Sequence, residues 1–263
     1  MNEKEFYIGW QDDAPKSFLR AARWFFGASL IISISFVLFF VRAEREFVDS
    51  YFDYGNLTEL EGHIVLDPVP MLSIRDAEKK ETIPLVGFGK YGAIPTIKSY
   101  NLKSDQSIKT GDYVKIRGTI FTYQNKRWIE LTEGSSSFLE VRDGNYTQTA
   151  QALGVKQIEG EIVDPKCFFG VMNPAVKAIH RSCAIRCISG GIPALLAVRE
   201  NGIFTDYYFL LDDQGRPVGN DVLPFVGIPI SLKGEVYQVD NWKTLTTNLS
   251  TSQVAFLANS DSY

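Results

Sequence analysis

Histidine and cysteine are scarce in this 263-residue chain, which holds two of the first and three of the second. With His63 and His180 as the only imidazoles, and with no G-x-S-x-G elbow, a hydrolase built on a Ser-His-Asp relay or on paired carboxylates is poorly supported. Asp164, Asp212 and Asp213 sit beside turn residues, where capping is the ordinary role. A small, odd cysteine count is not a disulfide framework, because secreted proteins usually pair every thiol. Basic residues are not in excess either: 27 Lys and Arg face 31 Asp and Glu, a net charge of −4, which leaves no footprint for nucleic acid. Gly87-Phe88-Gly89-Lys90-Tyr91-Gly92 is glycine-rich, but it lacks the spacing and following helix of a phosphate cradle and reads as a flexible hairpin or loop.

The scarce residues are concentrated. Cys167, His180, Cys183 and Cys187 form a C-x12-H-x2-C-x3-C constellation that uses every cysteine and one of the two histidines. Thiolate is a soft donor and neutral imidazole a borderline one, so this set is a complete ligand shell for zinc or another thiophilic metal. His180, Cys183 and Cys187 recur at i, i+3 and i+7, which puts all three on one stripe of a helix that Gly190 and Gly191 then stop. Cys167, behind Pro165, reaches back over that stripe, and the segment from Phe168 to Ile179 closes the site. Two other readings stand beside the metal. One is a disulfide involving Cys167 with one thiol left over, and the other is three inert buried thiols. Four protein ligands would fill a zinc shell and imply a structural role, whereas a mobile ligand would allow thiol exchange or metal transfer. The apolar Phe168-Phe169 and Val171-Met172 pairs are expected in a core.

From Trp24 to Val41 the chain carries no charge and is bracketed by Arg23 and Arg42. At 1.5 Å per residue this is about 27 Å of helix, close to the hydrocarbon thickness once the arginines snorkel. No small-x-small cleavage site follows, so an uncleaved signal anchor is expected, with the lipid bilayer contacted through Trp24 to Val41. Lys4, Lys16, Arg20 and Arg23 precede the span and Arg42 and Arg45 follow it, which predicts a cytoplasmic N-terminus and outward-facing C-terminal domains. The segment Phe6 to Trp10 is too short to fold alone and is expected at the headgroup level or on a neighbouring membrane subunit.

Beyond the anchor an internal repeat organises the chain. Glu61-Gly62-His63-Ile64-Val65-Leu66-Asp67-Pro68 echoes Glu159-Gly160-Glu161-Ile162-Val163-Asp164-Pro165, and Ile116-Arg117-Gly118-Thr119-Ile120-Phe121 echoes Leu232-Lys233-Gly234-Glu235-Val236-Tyr237. The second half holds the longer stretch between its markers, and the Cys/His segment lies there. Short alternating strands, a glycine inside the strand, and hairpins leading to Trp128 and Trp242 predict a mainly β fold of two tandem OB-like barrels, with a single larger sandwich as the rival. No helix of length is expected after the juxtamembrane stretch except the cysteine segment. The expected boundaries are a cytoplasmic segment 1–22, a transmembrane helix 23–42, a helical juxtamembrane segment 43–56 and a first barrel 57–142. A linker 143–156, a second barrel 157–257 and a fraying tail 258–263 follow. The sequons at Asn56, Asn145 and Asn248 carry little weight, since the tripeptide is common by chance.

The residues Gly160, Ile162, Asp164, Cys167, His180, Cys183, Ala184, Cys187, Ile188 and Gly191 match a pattern G-x-[IV]-x-D-x-x-C followed by H-x-x-C-A-x-x-C-[IV]-x-x-G. In this the second half, from Ile158 to Leu249, resembles a family of small secreted bacterial OB-like domains of poorly defined function. The resemblance implies an extracytoplasmic module with a Cys/His site in the bacterial inner membrane or periplasm, and no named reaction. The anchor and first barrel lie outside it. They suggest a non-catalytic accessory subunit held in a membrane complex, plausibly respiratory or redox, with a thiol-disulfide or metal-handling protein as the alternative.

Overall fold

The computed structural model describes residues 14–43, 50–75, 80–172, 174–249 and 254–256. The expectations for Phe6 to Trp10, for 44–49 and for the tail 258–263 fall outside the described residues. The chain divides into two compact units, Met1–Phe47 and Val48–Tyr263.

The first unit is built on helix α1 (Lys16–Ala43). Its 27 residues Lys16–Arg42 include an 18-residue stretch of mean hydropathy 2.3, which makes it long and apolar enough to cross a membrane by length and composition. Its large apolar side chains, Trp24, Phe25, Ile32 and Phe39 among them, are exposed.

The second unit begins with strand β1 (Ser50–Phe52), where the sequence suggested a helical continuation. The chain continues through β2 (Thr58–Val65), β3 (Met71–Arg75), β4 (Lys80–Val86), helix α2 (Ile94–Lys103), β5 (Tyr113–Tyr123), β6 (Lys126–Leu131) and β7 (Phe138–Arg142). Strands β2, β3 and β4 form an antiparallel meander, β5 pairs back onto β2, and β6 runs antiparallel to β5 and parallel to β4 at Leu85↔Ile129. That parallel contact closes a five-stranded barrel, with β1 and β7 added along β5.

The chain then enters β8 (Gln151–Val163), helix α3 (Lys177–Ser189), β9 (Leu195–Glu200), β10 (Ile203–Leu211), β11 (Pro229–Val239), β12 (Trp242–Thr247) and β13 (Val254–Phe256). The pairing repeats. β8, β9 and β10 meander, β11 returns to β8, and β12 closes a second barrel parallel to β10 and antiparallel to β11. The repeat is therefore two closed barrels rather than one sandwich. Its marker glycines sit where strands cross closely: a Cβ at Gly118 would lie 2.4 Å from the Glu130 carbonyl oxygen, and one at Gly234 2.2 Å from that of Thr246.

Each barrel has an apolar interior. Ile64, Leu72, Ile83, Leu85, Ile116 and Leu131 fill the first, and Ile162, Leu196, Leu210, Ile230, Leu232 and Leu245 the second. Helix α2 corrects the expectation of no helix besides the cysteine segment. Its Ile97, with Ala93 just before it, covers the first interior, and Pro95 in the first turn suits a helix start. The 3-10 stretch Gly219–Phe225 takes the same place in the second barrel, between the third and fourth barrel strands, and buries Val222 and Phe225.

A third core lies between the barrels. Phe121 and Trp128 of the first pack against Phe169, Phe209 and Trp242 of the second, all fully buried. The two indoles meet edge to face at 5.3 Å between centroids, and Trp128 stands 5.5 Å from Phe169. At about 25 cal/mol per Å² such rings each contribute several kcal/mol before the entropy of ordering them. The β11–β12 tip adds polar contacts to β4. Thr82 donates from its backbone N–H to Asn241 Oδ1 at 2.9 Å and from Oγ1 to Asp240 Oδ2 at 2.7 Å, and Trp242 Nε1 donates to the Thr82 carbonyl at 2.8 Å.

Candidate metal centre

The first barrel joins β2 to β3 by the short loop 66–70, whereas the second spends residues 164–194 on the corresponding β8–β9 connection. All four predicted ligands lie in that connection. The chain leaves β8 at Asp164, whose Oδ1 accepts the Cys167 backbone N–H at 2.9 Å and whose carbonyl accepts that of Phe168 at 3.1 Å. These bonds start the π-helical turn Cys167–Val171. The turn aims Phe169 into the aromatic seam while Cys167 faces α3. Gly170 packs under β1, where an added Cβ would lie 3.0 Å from Phe52 Cδ2.

Helix α3 carries His180, Cys183 and Cys187 as the spacing predicted, and Gly190 and Gly191 end it, with the Ile192 N–H returning to the Cys187 carbonyl at 3.2 Å. The donor atoms converge in two overlapping groups, Cys167 with His180 and Cys183, and Asp164 with Cys167 and Cys187; within each group they lie within 4.8 Å of one another. The expected four ligands thus come together around Cys167, with a carboxylate added. The three cysteines are free thiols, so no pair forms the disulfide weighed from the sequence. Cys167, Cys187 and His180 are buried, and Cys183 is half-buried.

Cys167 and Cys187 are hydrogen-bonded to each other. Hydrogen bonding to Cys187, burial and the nearby Asp164 push the Cys167 thiol up, while the Cys167 hydrogen bond holds Cys187 below the usual thiol range, with Lys90 helping. Cys187 therefore gives up its proton first, and Cys167 donates to it. Such a sulfur-rich cluster suits a thiophilic cation. His180 Nε2 lies 3.0 Å from Asp164 Oδ2, both groups being buried. With the proton on Nε2 and Asp164 accepting it, the Nδ1 lone pair remains for a metal, an arrangement in which the carboxylate fixes the tautomer and strengthens the donor.

The first barrel roofs the cluster. Its 87–92 loop is held by the buried Lys166 ammonium, which bonds Glu130 and the carbonyls of Gly87 (3.1 Å) and Gly89, and Glu130 Oε1 accepts the Gly89 N–H at 3.0 Å. At the other end the Gly92 N–H donates to the Gly190 carbonyl at 3.0 Å. A Cβ at Gly92 would lie 2.0 Å from the Gly191 oxygen and one at Gly190 2.0 Å from the Lys90 oxygen, so only glycine permits this backbone approach. The loop read from sequence as flexible is latched at both ends. It sets the Lys90 ammonium 3.4 Å from Cys183 Sγ, and this contact holds Lys90 above the usual lysine range.

Sequence reasoning gave Asp164 only a turn role, which it does fill, and missed its bond to His180. It also missed Lys90 and Lys166. Asp164 had a signal, the D-x-x-C spacing; Lys90 had none, since its partner lies in the other barrel. Against protein-family models, curated proteins and solved structures alike, the chain finds no match.

Proposed function

We propose that this chain is a membrane-anchored, extracytoplasmic tandem OB-barrel protein whose Cys167, His180, Cys183 and Cys187 hold zinc or another thiophilic ion in a structural role, and that it serves as a non-catalytic accessory subunit of a membrane complex. The observation that carries this is the convergence of three thiols and an imidazole, backed by Asp164, at the junction of the two barrels. Four protein donors fill a tetrahedral shell and leave no position for substrate water, which favours structure over catalysis. Two closed five-stranded barrels, each a meander of three strands with a fourth returning to the first and a fifth closing parallel to the third, support the OB-like reading. The exposed apolar side chains of α1 and the basic residues Lys4, Lys16, Arg20 and Arg23 before its uncharged stretch support anchoring with the barrels outside. The likeness of Gly160 to Gly191 to small secreted bacterial domains supports the same placement.

A second reading, thiol exchange or metal transfer, draws on the half-buried Cys183 beside Lys90 and on the ionisable Cys187. Gentle detergent extraction from native membranes separates the two. The subunit reading expects stable co-migration with larger membrane proteins. A lone monomer that oxidises a dithiol probe or passes metal to an acceptor would replace it with the second.

A further inference from the structure

A divalent ion bound by three thiolates and a neutral imidazole carries one negative charge in excess, and Asp164 behind His180 adds a carboxylate to the same neighbourhood. Buried negative charge is costly unless a cation or hydrogen-bond donors answer it. Within the second barrel, Lys166 sits beside Cys167 in sequence, but its ammonium is committed to Glu130 and the loop carbonyls. The Arg186 guanidinium lies over the Tyr91 ring, 5.6 Å from its centroid. The cation that does reach a ligand sulfur comes from the other barrel: Lys90 Nζ, 3.4 Å from Cys183 Sγ.

Lys90 is exposed, but the backbone on either side of it is held. The Lys90 carbonyl lies against Gly190, Gly92 is bonded to Gly190, and Gly87 and Gly89 are clamped by Lys166 and Glu130. Both flanks of Lys90 are thus fixed by bonds that run to the residues next to the ligands, Lys166 beside Cys167 and Gly190 at the end of α3. The ammonium arm extends from this held backbone to Cys183, the half-buried sulfur of the site.

We infer that Lys90 is the outer-sphere charge partner of the metal centre, donating N–H to the Cys183 thiolate, so that the first barrel completes a site whose ligands all belong to the second. This rests on the reading of the four residues as a metal centre. It gives the cysteine-free barrel a definite part in metal affinity, and it makes Lys90 a positioning residue and not a ligand. By linkage, whatever holds the loop in place strengthens metal binding, and bound metal in turn strengthens the hold on the loop.

Full-length protein in detergent, titrated with Co²⁺ and then with Zn²⁺ against a chelating dye, tests this directly. Lys90→Met and Lys90→Gln are expected to weaken Zn²⁺ binding about tenfold, the lower end of what an outer-shell partner contributes. They should also move the thiolate-to-cobalt charge-transfer band to longer wavelength, because a sulfur that loses its donor holds its electrons less tightly. Lys90→Arg should restore most of both, and Lys103→Met, at the end of α2, should change neither. If Lys90→Met keeps the unaltered affinity and band, the Lys90 inference falls alone. If the unaltered protein shows no thiolate-to-cobalt band, the metal centre falls and takes the inference with it.

Discussion

Asp164 serves two elements at once, capping the π-helical turn through Cys167 N–H and holding His180 on α3 through Oδ2. Asp164→Ala would leave both donors buried without a partner, at roughly 1–3 kcal/mol, and would free the imidazole to turn. Metal affinity should fall about 10–100-fold and the urea midpoint should drop. Asp164→Asn keeps an acceptor for the Cys167 N–H and should recover stability better than affinity; equal recovery of both would argue against the orienting role. Three of the four donors, His180, Cys183 and Cys187, were legible in the sequence because their spacing follows the helical period, and Cys167 because it is the one remaining cysteine nearby, both local properties. The bond of Asp164 to His180 and the place of Lys90 were not, because these partners arrive through tertiary contact. Gly190 and Gly191 were read as the helix stop they are, but the 87–92 loop was read as flexible where Gly92 and Gly190 bring two backbones into close approach.

Among the elements, the β11–β12 tip is the polar latch of the seam. Burial raises the Asp240 carboxyl, yet hydrogen bonds from Lys80, Thr82 and Gln148 together hold it below the usual aspartate range. A carboxyl lowered on folding stabilises fully above its unfolded pKa, near 4, and loses that contribution as pH falls through the lower folded value. Urea midpoints taken from neutral pH downward should therefore hold steady to about pH 4 and then decline, and Asp240→Asn should flatten that part of the decline. An acid limb unchanged by the substitution would remove Asp240 from the latch. The barrel strands could be read from alternation and marker glycines, and the cysteine helix from its stop. Helix α2 escaped because Ile94, Pro95, Thr96 and Ile97 look like a strand edge. Packing of Ile97 and Ala93 onto the first interior decides the matter against local preference.

The molecule beyond α1 is one body with three cores, not two barrels on a string. A trace of this was present in the sequence. Ile83 to Val86 and Tyr207 to Leu211 are continuous apolar runs, and each is buried along its whole length, as expected of strands covered on both faces. Alternation alone cannot say what covers the outer face. The answer is the other barrel, and the Cys/His connection sits at that seam, touching β1 through Gly170 and the first barrel through Gly92 and Lys90. A metal there would tie together strand β1, the aromatic layer and the loop of the companion barrel.

X-ray absorption at the metal edge of protein purified without added metal is the most direct trial of that centre. The expected spectrum is a four-coordinate ion with three sulfurs at about 2.3 Å and one nitrogen at about 2.0–2.1 Å, lost when Cys167 and Cys187 are replaced by serine. Protein that arrives metal-free with two of its cysteines disulfide-bonded, or an ion held by oxygen and nitrogen alone, would contradict it.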